Sequence, residues 1–250
     1  MFSDKWKARL IGVAIAGAAI AIPGAASAGV VVKSTGPSAS EYPVGRQVAD
    51  GSRVVLRAGD RITVLTDRGT SVMEGPGTFR IGEGARPSQR FSRLTRRGAR
   101  ARPRTGAVRG TPVAPETAPA RSLWTVNLSV GGPVCLYDMD AIQLWRPAAE
   151  GAETYSIVDI ASDTALDVTF VGAELVRELD QDVVSIKTDT DYAILSPASG
   201  RQAERSTVNV RFVQFDGDYG DSASLAQALL EKGCTEQFAL LADTLDEEAS

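Results

Sequence analysis

The chain contains no histidine. That absence removes the commonest general base, the commonest metal ligand and the usual pH switch together. Serine–histidine–aspartate and cysteine–histidine chemistry go with it, as do zinc sites built on imidazole. Cysteine is nearly absent too, with only Cys135 and Cys234. Two thiolates cannot complete a tetrahedral structural zinc site. No G-x-S-x-G, P-loop or G-x-G-x-x-G pattern occurs, and Lys33, Lys187 and Lys232 sit in no S-x-x-K frame. Long apolar runs are limited to one, near the N-terminus.

That run has a particular shape. Lys5, Lys7 and Arg9 precede an unbroken small-apolar stretch from Leu10 to Ile22. Pro23-Gly24 breaks any helix, and Ala26-Ser27-Ala28 offers the small side chains a signal peptidase accepts. Residues 1–28 are therefore expected to be a signal peptide, cleaved between Ala28 and Gly29. The alternative is an uncleaved anchor. A spanning helix needs roughly 20 apolar residues, and this run reaches that length only by counting Pro23, Gly24 and Ser27. The mature chain is expected to be periplasmic or secreted, with no transmembrane segment.

In an oxidising compartment an even cysteine count points to a disulfide between Cys135 and Cys234. Two buried free thiols are the alternative. Closing a loop of about 100 residues stabilises a fold by up to about 4.7 kcal/mol in the chain-entropy model.

Apolar residues make up 43% of the chain, a globular proportion. Charge is sharply segregated. Residues 29–85 are near neutrality, residues 86–121 carry ten arginines against Glu116 alone, and residues 122–250 carry 23 acids against seven bases. Such asymmetry marks an interaction tail or a self-attracting linker.

Residues 29–83 read as an all-β module. Val30-Val31-Val32, Arg53 to Arg57, Arg61 to Thr66, Thr70 to Met73 and Thr78 to Ile81 are short strand candidates, separated by Ala58-Gly59-Asp60, Asp67-Arg68-Gly69 and Gly75-Pro76-Gly77. Strands at this spacing with glycine turns favour a roll or sandwich. In Arg61–Thr66, Ile62 and Val64 share one face. The Gly75-Pro76-Gly77 turn joins two strands, unlike a phosphate-binding loop, which leads into a helix.

The stretch AGDRITVLTDRGTSVMEGPGTFRIG, within residues 30–82, resembles the periplasmic β-module of FecR-type proteins. That family repeats short strands around a Gly-Asp turn and closes on a Gly-Pro strand. The resemblance implies an envelope β-domain used for binding or sensing. FecR regulators carry a cytoplasmic anti-sigma segment before a membrane helix, whereas nine residues precede the apolar run here.

Residues 84–121 are poor in aliphatic residues and rich in arginine, glycine and proline, the composition of a disordered linker. Arg93, Arg96, Arg97, Arg100, Arg102 and Arg104 are its candidate anion-binding residues, suited to lipopolysaccharide phosphates or anionic lipid. Phe91 is the only ring in the tract, so base stacking is poorly supported and no specific nucleic acid is expected. The alternative is a solubilising linker attracted to the acidic domain that follows.

Residues 122–220 read as a second, sandwich-like β-domain. Its strand candidates are Leu123–Leu128, Val134–Tyr137, Ile142–Arg146, Thr154–Ile160, Ala165–Phe170, Val183–Lys187, Tyr192–Leu195 and Thr207–Phe215. The Cys135–Trp145 spacing is similar to an immunoglobulin strand pair, but Cys234 comes after the last strand. Residues 221–250 change period. Asp221 and Ser222 can cap a helix ending near Lys232, with Gly233 at the helix-ending position. Thr235 can cap a second helix, where Phe238, Leu241 and Leu245 form a stripe. Asp246-Glu247-Glu248 opposes the macrodipole, so that end is expected to fray.

No carboxylate pair is singled out for glycoside hydrolysis. Asp216-Gly217-Asp218-Tyr219-Gly220-Asp221 fails the EF-hand pattern and reads as a polar loop with a capping Asp221. Trp124 and Trp145 suit a carbohydrate platform or, more simply, a β-domain core. The reading is a mainly β chain, two small β-modules with a linker between them and a C-terminal αα-hairpin. It is expected to be a non-enzymatic accessory protein of the bacterial envelope that binds a protein or glycan, with no cofactor. A sensor subunit that partners a separate signalling protein is the alternative, and an exported hydrolase using a carboxylate pair is a third reading.

Overall fold

The structure, a computed structural model, describes residues 27–95, 122–148, 151–179, 186–197 and 206–250. Fourteen strands and three helices lie among them, so the chain is mainly β with a C-terminal helical pair.

The first module holds β1 (Ser27–Thr35), β2 (Gln47–Ala49), β3 (Arg53–Leu56), β4 (Arg61–Thr66), β5 (Gly69–Glu74) and β6 (Gly77–Arg80). They form an antiparallel sheet in the order β2-β1-β4-β5 and a separate β3–β6 pair. Alternation sends Val31, Ile62, Val64 and Met73 into a core shared with Val54, Leu56 and Ile81. The opposite face of the sheet is not solvated. Val30, Val32 and Leu65 on that face are buried against the C-terminal helices. The polar member of β4's alternation, Thr63, is fully buried there as well.

The Gly59-Asp60 and Gly75-Pro76-Gly77 turns have a physical reason. Asp60, 3% exposed, accepts from the backbone N–H groups of Ser38 at 2.8 Å and Arg57 at 2.5 Å. Its own carbonyl accepts from Gly75 N at 2.9 Å. A Cβ on Gly75 would sit 2.0 Å from the Arg57 carbonyl oxygen. The Gly-Asp turn and the Gly75-Pro76-Gly77 turn are therefore packed on one another, and only glycine fits at the contact. The Gly75–Pro76 peptide is cis.

The second module holds β7 (Thr125–Asn127), β8 (Gly132–Leu136), β9 (Gln143–Trp145), β10 (Glu153–Asp159), β11 (Thr164–Phe170), β12 (Val176–Glu178), β13 (Asp191–Leu195) and β14 (Thr207–Gln214). A five-stranded sheet, β11-β10-β13-β14-β8, faces a three-stranded sheet, β12-β9-β7. Their inner faces meet in a core that includes Val126, Leu144, Ile157, Ile194 and Phe212. The pairs β8–β14 and β7–β9 are parallel, and the other pairs are antiparallel. Of the strand expected over Val183–Lys187, residues 183–185 lie outside the described residues, and Ile186 and Lys187 are in no strand.

The helical pair is α2 (Ser222–Glu231) and α3 (Thr235–Ala249). Asp221 caps α2 by accepting from Ser224 N at 2.9 Å. Gly233, with φ of 75°, reverses the chain in the left-handed region. Thr235 is not the cap of α3, as its pattern suggested. Cys234 holds that position and makes no side-chain capping bond, because its sulfur is joined to Cys135.

The stretch read as a linker from residue 84 is ordered at its start. Arg86 bridges to Thr70, and Gln89–Leu94 form a short helix, α1. The physical reason is external support: α1 buries one apolar side chain, Leu94, and leans on α3. Residues 96–121 lie outside the described residues.

Candidate functional site

The residues with the densest long-range chemistry lie where α3 meets everything else. Gln237 is 1% exposed. Its Oε1 accepts from Cys135 N at 2.7 Å, and its Nε2 donates to the carbonyls of Cys135 at 2.7 Å and Leu123 at 2.8 Å. β8 is an edge strand of its sheet. The Gln237 amide supplies that edge with the pairing a neighbouring strand would otherwise give. One turn earlier, Cys234 is bonded to Cys135 across 99 residues of sequence, with Cα atoms 5.9 Å apart. Both sulfurs sit in the apolar cluster that also holds Val30, Leu65, Leu94, Leu123, Leu229 and Leu241. That cluster draws on both β-modules, α1 and the helical pair.

The C-terminal carboxylates close the other side of this junction. Lys33 of β1 pairs with Asp243 at 2.9 Å and Asp246 at 3.2 Å. Arg61 of β4 reaches Asp246 at 3.4 Å and also pairs with Glu74. Thr63 donates to Asp246. Burial pushes the Asp246 carboxyl up, but the Thr63 hydroxyl, Lys33 and Arg61 together outweigh it and hold it below its ordinary range. The hydrogen bond to Asp243, reinforced by Asp246, raises Lys33 against the opposing effect of burial.

Glu248 accepts from the Ser88 hydroxyl, from Gln89 N at 3.0 Å and from Arg90 N at 3.2 Å. Ser88 in turn caps α1 by accepting from Phe91 N at 3.0 Å. A negative group thus sits on the orphan N–H groups at the start of α1. Burial raises the Glu248 carboxyl, and these three donors outweigh it and hold the pKa down. The fraying expected of Asp246-Glu247-Glu248 is corrected here. The helix runs to Ala249 because its acidic end is matched by cations and by another helix's N-terminus.

Leu94 and Thr95 meet Leu123 and Trp124. Leu123 N donates to the Leu94 carbonyl at 3.1 Å, and the Trp124 indole N–H donates to the Thr95 carbonyl at 3.0 Å. These two bonds close a stem between residues 94–95 and residues 123–124. Trp124 packs edge-on to Tyr137 at 4.4 Å between ring centroids, and Phe215 lies beneath both.

The other residues singled out from sequence fall as follows. Ala28 and Gly29 lie in β1, where Gly29 pairs with Val48 and Thr66. Gly75, Pro76 and Gly77 join β5 to β6. Arg93 is exposed in the last turn of α1. Arg96, Arg97, Arg100, Arg102 and Arg104 lie outside the described residues. Trp145 is half-buried on β9, in the sheet that does not contain Cys135, so the two do not form an immunoglobulin-type pair.

Sequence reasoning missed Gln237 and Arg146. Arg146 is fully buried, pairs with Glu153 at 2.6 Å, donates to the carbonyls of Gly151, Gly172 and Glu174, and lies over the Phe170 ring. Nothing local marks either residue, since both are bound by partners remote in sequence. Among the described residues no three acidic or thiol side chains converge as metal ligands. A shallow cavity of about 190 Å³ lies between Arg86, Gln89, Leu245 and Glu248. The chain matches no family model, no curated protein and no solved structure.

Proposed function

We propose that this chain is a non-enzymatic, exported accessory protein of the bacterial envelope, and that its first β-module presents a recognition surface for a protein or glycan. The observation that supports this best is the Cys135–Cys234 bond, buried at the point where both β-modules and the helical pair converge. A disulfide in that position suits an oxidising compartment, in agreement with the signal-like first 28 residues. Two of the charged groups the fold buries, Arg146 and Asp246, each hold one element against another. The arginine tract offers an anionic envelope surface a second point of attachment.

Val44 and Val55 are the exposed large apolar residues of the first module, at 52% and 54%. Val55 N donates to the Tyr42 hydroxyl, two residues from Val44. The test is crosslinking of the full chain in intact envelopes, followed by mass analysis of the mature N-terminus and of crosslinked peptides. The expected result is a chain beginning at Gly29 with a discrete partner joined through residues 30–82, and loss of that partner in V44E/V55E. A chain that keeps residues 1–28, or crosslinks that avoid residues 30–82, would overturn the reading.

A further inference from the structure

The strand pair β3–β6 turns one face away from the core of the first module. Val54 and Leu56 of β3 are buried, and Arg53 and Val55, which alternate with them, are exposed. The register sets Arg53 directly against Arg80 and Val55 directly against Thr78, and Thr78 and Arg80 are exposed too. Residues opposite one another share a face, so this one carries Arg53, Arg80, Val55 and Thr78. Arg57, also exposed, follows directly on β3. The Val55 N–H points away from β6 and donates to the Tyr42 hydroxyl at 3.2 Å. Val55–Thr78, and by alternation Arg53–Arg80, are therefore pairs without mutual main-chain bonds, the kind whose Cα atoms lie only about 4.5 Å apart.

Two arginines opposed in this way repel one another. Among the described residues no carboxylate relieves them. Arg53 and Arg80 make no ion pair, and two acids of the same module, Glu74 and Asp50, are taken by Arg61 and Arg68. Glu83, whose N–H is bonded to the Arg80 carbonyl, does not pair with that guanidinium. The fold draws its buried contacts here from Val54, Leu56 and Ile81 instead. We infer that this face binds an extended acidic segment of a partner protein, with a carboxylate bridging Arg53 and Arg80 and an apolar side chain on Val55. The inference rests on the recognition surface proposed above and names the chemistry of its partner. The unpaired arginines set the sign of the partner's charge, since a guanidinium matches carboxylate geometry. Val55, 54% exposed beside them, sets its class. An apolar centre with arginine around it is the composition of a protein interface, whereas a phosphate or a sugar acid gains nothing from the valine. Arg53 and Val55 stand two residues apart on a strand, so acidic and apolar side chains two residues apart in an extended segment meet both.

The experiment titrates the full, disulfide-bonded chain into a dye-labelled peptide with Glu, Val and Glu at alternate positions and Ser between them, followed by fluorescence anisotropy at low ionic strength. The expected result is binding about tenfold weaker to R53Q/R80Q than to wild type, from two exposed ion pairs lost together. High salt should weaken wild-type binding similarly and the variant's less. The arginines of residues 96–121 are the same in both chains, so the difference between the chains reads this face alone. Equal affinities at low salt would overturn the inference. So would trigalacturonate or phosphatidylglycerol vesicles that distinguish the two chains more strongly than the peptide does, which would make the ligand a glycan or a lipid. Thermal melts separate binding from a structural role. R53Q/R80Q loses a repulsion and should melt no lower than wild type. A lower melting temperature would show that the arginines hold the strand pair together, and would overturn the inference as well. These readouts need no envelope component, so they stand or fall separately from the crosslinking result.

Discussion

Replacing Gln237 with alanine removes one side-chain amide and orphans three backbone groups at once. The N–H and C=O of Cys135 and the C=O of Leu123 lose their partners in a region where Cys135 and Leu123 are both fully buried. Each unsatisfied buried group costs about 1–3 kcal/mol. Partial water entry into the space left by the amide offsets some of this, so the loss should be about 3–5 kcal/mol in urea unfolding at neutral pH. Gln237→Glu is the sharper comparison. A carboxylate still accepts from Cys135 N but can donate to neither carbonyl, and it buries a charge. It should therefore be at least as damaging as alanine. Trp124 fluorescence reports the transition, since its indole is bonded to the stem beside Leu123. A loss below about 1 kcal/mol for alanine, or a mild effect of glutamate, would refute the idea that this amide serves as the missing neighbour of β8.

Cys135→Ala and Cys234→Ala should each cost roughly 2–5 kcal/mol, and the double variant little more than either, because every one removes the same cross-link. Alkylation under denaturing conditions without reductant should find no free thiol in the native protein. Asp246 and Glu248 are both held below their ordinary values. Their contribution to stability is full above the ordinary carboxylate range, about pH 4, and is lost as pH falls through their lower folded values. Asp246→Asn with Glu248→Gln should therefore flatten the acid limb of a Tm–pH profile. Lys33 is raised, so its contribution should fade only as pH rises through its folded value, above about 10.4. Gly75→Ala should destabilise the first module by about 1–3 kcal/mol, because its Cβ meets the Arg57 backbone carbonyl rather than a side chain that can swing away. Thermal melts of this variant beside wild type check it.

Much of the β architecture is legible from local signals. Alternation in Arg61–Thr66 and the turn glycines at 59, 69 and 75 locate β4 and its neighbours, because pleat and turn geometry act within a few residues. The capped helix from Ser222 to Glu231 is legible for the same reason. The three-residue strands β2 and β12 are not, since each carries too few residues to show a period. Helix α1 reads as linker because its composition is basic and its one anchor, Leu94, is unremarkable alone. The Glu248 contacts that complete it are 158–160 residues away. The acidic end of α3 misleads in the same manner: judged within its own helix it is unfavourable, and its compensation comes from β1, β4 and α1. Gln237 and Arg146 are polar residues whose burial nothing in their own neighbourhoods announces.

The helical pair and the closed stem join both β-modules into one body, through a core that draws on all of them. A site-specific protease sequence inserted after Gly110 tests it most directly. Cleavage there leaves one piece ending before residue 111 and another carrying Cys135, Cys234 and both C-terminal helices. With Val30, Val32 and Leu65 buried against those helices and Lys33 and Arg61 paired to Asp246, the pieces should co-elute as a single particle on gel filtration and separate only in denaturant. Two separately eluting folded pieces at neutral pH would show that the β-modules do not share a core.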